Sequence, residues 1–158
     1  MPRTSAGVLL YRLAEHGPEV LLVHPGGPFW ARKDLGAWSI PKGEVAEGEE
    51  LLDAAMREFR EETGFLADGS PIPLGHVRQR GGKVVHAWAI QGSADPGKLR
   101  SNTFELEWPP KSGQLRAFPE VDKAEWFDLA AARERIVPAQ IVFLDALTLH
   151  ERNRAHEM

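Results

Sequence analysis

The stretch Gly43–Phe65, GEVAEGEELLDAAMREFREETGF, decides the fold of this chain. Its pattern predicts a helix from Glu49 to Thr63, and Gly64 supplies the stop signal at the carboxyl end. One face of this helix is apolar and is expected to dock on a core. That face consists of Leu52, Ala55, Met56 and Phe59.

Three carboxylates lie beside the apolar face of the predicted helix. Glu61 and Glu62 fall within about 60° of Glu58 on a helical wheel, because residues three and four apart are neighbours. Like charges so placed cost about 0.2–0.5 kcal/mol per pair. Their position at the negative end of the helix dipole costs about 0.3–1 kcal/mol per exposed charge. An oxygen-preferring divalent cation, Mg²⁺ above all, would turn this penalty into a ligand set.

The length and composition of the chain limit the kinds of protein it can be. Its 158 residues suffice for one domain with a real core and hardly for two. A formal net charge of −4 makes nucleic acid or an anionic membrane an unlikely partner. The absence of cysteine excludes a disulfide framework and a Cys zinc site. No apolar run reaches the length of a membrane span, and the amino-terminal segment lacks the apolar core of a signal peptide, so we expect a cytoplasmic protein.

Strand and turn signals fill most of the chain, and helices close it. Strands are predicted over residues 4–12, 19–24, 37–40, 71–80, 83–91, 101–108 and 124–127. Residues 25–36 and 109–119 are rich in Gly and Pro and predict loops, and Pro41-Lys42-Gly43 is expected to break the strand before it. Asp128 is a good N-cap, and Pro138 fits the first turn of a last helix. The packing stripe of that helix is predicted to be Ile141, Leu144, Leu147 and Leu149. This order predicts one α/β or α+β layered domain over residues 1–158, with a mixed sheet between helices.

Fixed residue types at fixed spacing run through the opening stretch. Gly43 is followed after five residues by Glu49, and after seven more by REFREETGF at residues 57–65. This pattern resembles the Nudix box, the signature of the Nudix hydrolases, with Phe59 and Phe65 at its apolar positions. The run WSIPK at residues 38–42 is also similar to the family. The wider likeness covers most of the chain and resembles a bacterial subgroup without an assigned substrate.

The resemblance implies a Nudix-type α/β/α sandwich with a central mixed sheet. It also implies Mg²⁺- or Mn²⁺-dependent hydrolysis of a nucleoside diphosphate linked to another group. Arg57 would orient a carboxylate, although pairing with acidic residues one helical turn away is a simple structural alternative. The implied metal ligands are the carbonyl of Gly43 and the side chains of Glu58, Glu61 and Glu62, joined by Glu120.

The general base is left open among several carboxylates. Glu58 is adjacent to both other carboxylates on the wheel and is our first choice as bridging ligand or base, with Glu61 beside it. Some family members use a glutamate from a later loop. Glu120 matches that residue by its spacing from Trp126, and Glu107 competes with it. An ordinary solvated charge is an even alternative for Glu120.

Several side chains are candidates for substrate binding. Lys42 follows the break before the helix and could meet a phosphate, as could Arg32, although a solvated charge is the simpler interpretation of Arg32. Trp30 and Trp38 could each stack on a base, although for any one tryptophan a core position is favoured. A monomer or a homodimer is expected.

Three function classes remain open. The first is a pyrophosphohydrolase of nucleoside triphosphates or dinucleoside polyphosphates, although the chain lacks the tyrosine that dinucleoside-polyphosphate members often carry beyond the box. The second is a pyrophosphohydrolase of RNA 5′ ends or nucleotide sugars. The third is a non-catalytic Nudix module that senses a nucleotide metabolite. The complete carboxylate set favours an enzyme over a sensor.

Overall fold

The computed structural model describes residues 3–157, which form three α-helices, eight β-strands and short 3₁₀ turns. The strands are β1 Thr4–Ala14, β2 Gly17–Pro25, β3 Lys42–Glu44, β4 Ile72–Arg78, β5 Val84–Gln91, β6 Thr103–Glu107, β7 Leu115–Pro119 and β8 Val121–Asp128. The helices are α1 Leu51–Thr63, α2 Leu129–Arg135 and α3 Ile141–Glu157. None of these helices is both long and apolar enough to cross a membrane.

The main sheet is mixed, as predicted. Its order is β4-β5-β1-β2-β8, with β3 paired to β1. β1 runs parallel to β5, whereas the β1–β2, β1–β3, β2–β8 and β4–β5 pairs are antiparallel. β6 and β7 form a separate two-stranded hairpin.

Two hydrophobic cores lie on opposite faces of this sheet, because side chains of a strand alternate between its faces. Even-numbered residues of β1, such as Val8 and Leu10, share a core with Phe59 of α1. Odd-numbered Leu9 shares the other core with Phe143 of α3. A sheet between two helical layers is the predicted α/β/α sandwich, and the structural neighbours described below confirm it.

The sheet opens between β1 and β2, and this opening positions the functional site. β1 pairs with β2 only through Tyr11–Ala14. Toward its start β1 pairs with β3 instead, while β2 turns toward β8. Ser39 bridges to Val23 of β2 inside the opening. β1, β2 and β3 therefore surround a gap that faces α1.

Several predicted boundaries differ from the structure. α1 begins at Leu51 rather than Glu49, because the backbone of its N-cap Glu50 is extended at φ −67° and ψ 142°. Residues 37–40 form only isolated bridges, and the predicted break at Lys42 is instead the start of β3. The predicted loop 109–119 ends in β7, which pairs with β6.

The last helix also departs from its predicted packing stripe. Leu144 and Leu147 are buried as predicted, and Leu149 is 60% exposed. The prediction for Leu149 is wrong because it lies two residues, about 200° of helix, beyond Leu147. The sequence predicts a frayed tail over residues 153–158; residues 153–157 instead continue α3, and residue 158 lies outside the described residues.

Candidate active site

A cavity of about 550 Å³ occupies the gap between β1 and β2. One wall is formed by β3 and α1, and the opposite wall by β2 and the segment that precedes β8. Its polar lining residues are Ser39, Lys42, Glu44, Glu58, Glu62, Gln79, Lys83, Asn102, Glu120 and Gln140. Three carboxylates predicted to act together, those of Glu58, Glu62 and Glu120, therefore line one cavity.

Helix α1 presents its carboxylates to the cavity because of how it ends and how it packs. Phe59 is fully buried against the sheet and fixes the rotation of the helix. Glu58 and Glu62 lie one turn apart on the flank beside Phe59, so both reach the cavity. Gly64 ends the helix in the left-handed conformation at φ 78°, and its amide donates to the Arg60 carbonyl at 2.7 Å. This is the glycine stop that the sequence predicted.

Gly43 allows the Glu58 carboxylate to lie directly against β3. A Cβ atom at Gly43 would come within 1.9 Å of Glu58 Oε2 and 2.1 Å of its Cδ. No real Cβ contact is that short, so any other residue at this position would displace the carboxylate. The glycine at the start of the motif is thus explained by a close approach between strand and helix.

Arg57 donates hydrogen bonds to the carboxylates of Glu49, Glu58 and Glu61. Its Nε donates to Glu49 at 2.8 Å, and its Nη1 donates to Glu58 at 2.8 Å and to Glu61 at 2.9 Å. Its Nη2 donates to Glu49 at 2.9 Å and to the Glu44 carbonyl at 3.1 Å. Hydrogen bonds from this guanidinium lower the pKa of Glu49 to about 2. The Arg57–Glu58 hydrogen bond is the contact through which Arg57 would orient a carboxylate, the role predicted for it.

Glu61 takes a different place from its two neighbours. Its carboxylate accepts from Arg57 and, in the part of the chain that the structure describes, it is not among the residues that line the cavity. The sequence predicted Glu61 as metal ligand and catalytic residue together with Glu58 and Glu62. In this arrangement the Glu61 carboxylate bonds Arg57, and the Glu61 carbonyl accepts a hydrogen bond at 3.2 Å from the amide of Asn102, which lines the cavity.

Burial perturbs the charged groups at the centre of the cavity. Burial raises the pKa of Glu62 well above its usual range, and the nearby Glu120 and Glu58 carboxylates add to the increase, while Lys42 opposes it. Burial also lowers the pKa of Lys42, and the Lys83 ammonium reinforces that shift. The pKa of Glu58 is raised by burial against the opposing effect of Arg57. Such perturbation of adjacent groups in one cavity is typical of functional sites.

Glu120 reaches the site from the far end of the chain. It precedes β8, its amide donates to the Asn102 carbonyl at 2.7 Å, and its carbonyl accepts from Gly26 at 2.9 Å. These two backbone bonds place its carboxylate at the cavity opposite α1. Glu107, the predicted competitor, ends β6 and is exposed, and it is not one of the lining residues within 3–157.

The donor chemistry of the site fits a divalent cation of the Mg²⁺ type. The candidate ligands are all oxygen atoms, which Mg²⁺ and Mn²⁺ prefer. Burial raises the pKa of Glu62, and repulsion from the Glu120 and Glu58 carboxylates adds to the increase, with Lys42 as the counter-charge. Among residues 3–157, no three acidic or histidine side chains already converge to ion-ligating distance.

Two predicted substrate-binding residues are placed elsewhere. Trp38 is 3% exposed, and its Nε1 donates to Asp34 at 2.8 Å. The prediction that Trp38 stacks on a base is wrong, because its ring packs edge-to-face on Phe127 in the α3 core. Arg32 is exposed on the loop after β2, and it is not among the lining residues that the structure describes.

A further set of polar residues lines the cavity and has no counterpart among the residues predicted from the sequence. Gln140 is fully buried, accepts from the Ile40 amide at 3.0 Å and donates to Gln79 at 2.8 Å. Lys83 lines the cavity with them. A glutamine at the start of a helix carries no sequence signal of burial, and only the tertiary packing of the Pro138–Gln140 turn reveals it.

Comparison with known proteins assigns the family. A family model described as the NUDIX domain matches residues 1–147. The chain belongs to the Nudix family. Over 101 residues this Nudix chain is 33% identical to the octanoyltransferase of Myxococcus xanthus, an alignment that covers 64% of the chain and 25% of that protein. It is 32% identical over 123 residues to the 8-oxo-(d)GTP phosphatase of Mycolicibacterium smegmatis, covering 67% of the chain and 34% of that protein.

A third relative matches over most of both lengths. The RNA pyrophosphohydrolase of Azorhizobium caulinodans is 29% identical over 132 residues, which is 77% of the chain and 76% of that protein. By contrast, the chain spans about a quarter of the length of the first curated relatives it matches.

Solved structures show the same Nudix fold. A Caenorhabditis elegans Ap4A hydrolase binary complex superimposes with a TM-score of 0.68 at 20% identity, covering 94% of this chain and 98% of that one. The NUDIX domain of Shewanella oneidensis NrtR complexed with ADP ribose gives a TM-score of 0.60 at 19% identity, covering 100% and 90%. At this identity the likeness shows the fold alone.

Proposed function

We infer that this chain, acting as one domain over residues 1–158, is a divalent-metal-dependent pyrophosphohydrolase. It would cleave a phosphoanhydride bond of a nucleoside diphosphate linked to another group, with nucleoside triphosphates and dinucleoside polyphosphates as the favoured substrates. One observation carries this inference: carboxylates from α1 and from the segment before β8 line a single cavity together with Lys42. A charge distribution of that kind suits a polyphosphate held by cations.

The residues divide into roles according to where they lie. Glu58, Glu62, Glu120 and the carbonyl of Gly43 would hold Mg²⁺ or Mn²⁺. The metal, when bound, would neutralise phosphate charge and lower the pKa of a bound water. Lys42 is half-buried in the same cavity and would bind a phosphate oxygen as a point charge.

The proton of the attacking water would pass to a carboxylate at the cavity. Glu58 is the favoured base, because Arg57 bonds one of its oxygens and so fixes its orientation. Glu120 is the alternative, since it lines the cavity and Glu107 does not. Glu61 would act as a positioning residue through the shared Arg57 contact.

Two other functions compete with this one. An RNA 5′-end pyrophosphohydrolase is favoured by one observation, the Azorhizobium caulinodans relative that matches over three quarters of both chains. The net charge of −4 weighs against a long RNA substrate. A non-catalytic sensor of a nucleotide metabolite would not need the complete carboxylate set. We further propose a cytoplasmic location and a monomeric or homodimeric state.

A substrate panel tests the proposed function. Nucleoside triphosphates including 8-oxo-dGTP, dinucleoside polyphosphates, ADP-ribose and triphosphorylated RNA are incubated with Mg²⁺ or Mn²⁺, and the products are identified by mass. Glu58→Gln and Glu62→Gln are each expected to lower the rate by at least about 100-fold while the fold is retained, as loss of a ligand or base implies. Glu47→Gln, an exposed carboxylate before α1, is the matched control. Near-normal turnover in both site variants would contradict the assignment.

A further inference from the structure

The cavity between β1 and β2 has an apolar side that its polyphosphate chemistry does not use. The lining includes the carboxylates of α1 and Lys42 of β3, together with polar residues from several other segments, and its apolar side chains come from β2, β8, the loop between β2 and β3 and the segment before α3. These apolar lining residues are Val23, Pro25, Trp30, Ala37, Val121 and Val137. Pro25 pairs with Val121 across β2 and β8, so these two residues lie side by side.

Trp30 is the largest side chain on that apolar side, and its environment differs from that of most other tryptophans. Trp38 packs in the α3 core, and Trp88 and Trp126 pack against the α1 core. Trp30 is 39% exposed and belongs to neither core within the described residues. An indole left this exposed on a cavity wall contributes little to folding, because its apolar surface is not removed from water.

The loop that carries Trp30 is held in place at several points. The Trp30 amide donates to the Gly27 carbonyl at 3.4 Å, and its carbonyl accepts from Lys33 at 3.0 Å. The Lys33 carbonyl lies 2.6 Å from Nε2 of the buried His24, whose Nδ1 lies 2.8 Å from Asp122. Ring and backbone contacts to β2 and β8 therefore fix the loop close to the cavity.

The neighbours of Trp30 strengthen this placement. Phe29 packs edge-to-face on Trp108 at a centroid distance of 5.5 Å, which ties the loop to the end of the β6–β7 hairpin. Lys33 Nζ lies 5.0 Å from the centroid of the Trp30 ring. A fixed indole beside a cation, at the edge of a polyphosphate cavity, matches how proteins stack aromatic bases without reading their edges.

We propose that Trp30 is the stacking platform for the nucleobase of the substrate, so that the site selects phosphorylated nucleosides over base-free phosphate esters. The base lies on the apolar side of the cavity at Trp30, and its phosphates extend toward Lys42 and the α1 carboxylates. This inference rests on the proposed function for the direction of the phosphates, and it adds the residue that recognises the nucleobase.

Binding of nucleoside monophosphates tests the platform without catalysis, because they contain no phosphoanhydride bond. Affinities for AMP and for ribose 5-phosphate are measured by calorimetry, and quenching of tryptophan fluorescence by AMP reports contact with the ring. Trp30→Ala is expected to weaken AMP binding between about 5-fold and 150-fold, the range for loss of one base–aromatic stack. Ribose 5-phosphate binding stays within two-fold, and Trp30→Phe retains most AMP affinity.

The matched control is Leu35→Ala, which removes a 69% exposed side chain from the same loop. It is expected to bind AMP as the wild type does. Wild-type affinity for AMP in Trp30→Ala would overturn the proposal, as would an equal loss of AMP and ribose 5-phosphate affinity. A wild-type protein that does not prefer AMP over ribose 5-phosphate would also overturn it.

The two proposals fail separately. A protein that hydrolyses no phosphoanhydride but loses AMP affinity on Trp30→Ala would refute the hydrolase and support the platform. A protein that hydrolyses nucleotides with unchanged KM in Trp30→Ala would support the hydrolase and refute the platform.

Discussion

Replacing Gly43 by alanine should displace mainly the Glu58 carboxylate, whose atoms are the three nearest to the new Cβ. The new Cβ would lie 1.9 Å from Glu58 Oε2, whereas ordinary contact begins at 3.4 Å, so the carboxylate must retreat by about 1.5 Å, the difference of the two distances. A displacement of about 1 Å in a catalytic group can cost about 100-fold in rate. Overpacking of a tight site costs about 1–3 kcal/mol of stability.

The assay combines turnover with equilibrium unfolding in urea. Gly43→Ala is expected to lower kcat by about 100-fold or more and the free energy of unfolding by about 1–3 kcal/mol. A Glu58→Ala background removes the atoms that the new methyl group meets. In that background Gly43→Ala should cost almost no stability, because the two changes act on the same contact.

Two results would refute this reasoning. Full activity and stability in Gly43→Ala would mean that the carboxylate does not lie against β3. An equal loss of stability with and without the Glu58 side chain would place the cost in the β3 backbone rather than in the carboxylate.

Three further predictions concern Arg57 and the acidic groups around the site. Glu49→Gln should be less stable than the wild type near neutral pH, and this difference in stability should shrink as the pH falls from about 4.5 toward 2. The reason is that a carboxylate with a lowered pKa of about 2 stabilises the fold only while it is ionised. Thermal unfolding across this pH range measures the difference, and a constant difference would contradict the prediction. Arg57→Lys should lower the free energy of unfolding by about 1–3 kcal/mol, since one ammonium cannot replace a guanidinium that bonds several acceptors. Urea unfolding measures this free energy, and an unchanged value would contradict a stabilising role for the hydrogen bonds of Arg57. Glu120→Gln should lower kcat by at least about 100-fold and Glu107→Gln by less than about two-fold; the reverse order would make Glu107 the loop carboxylate.

The sequence specifies α1 and its carboxylates almost completely, for physical reasons that are local. Helical periodicity alone puts Glu58 and Glu62 on one flank of Phe59, and Gly64 can end the helix because it has no Cβ. The alternation of β1 and the strand order around it likewise agree with a sheet covered on both faces.

Residues far apart in sequence were harder to predict. Arg57 lies four residues before Glu61 and can pair with it, but only the fold shows that this pairing leaves Glu61 out of the cavity that Glu62 lines. Trp38 and Trp30 are both candidates for base stacking in the sequence, and only tertiary packing buries one and leaves the other on the cavity wall. The prolines and the glycine before β7 predict a loop there. β7 forms nevertheless, because it pairs with β6 in the fold.

The central claim is that the carboxylates of the cavity between β1 and β2 bind a divalent metal. Mn²⁺ binding followed by electron paramagnetic resonance tests it directly, since the signal of free Mn²⁺ falls as the ion binds. The double variant Glu58→Gln and Glu62→Gln should bind Mn²⁺ at least about 10-fold more weakly than the wild type, with Glu47→Gln unchanged. Equal Mn²⁺ affinity in the wild type and the double variant would contradict the claim.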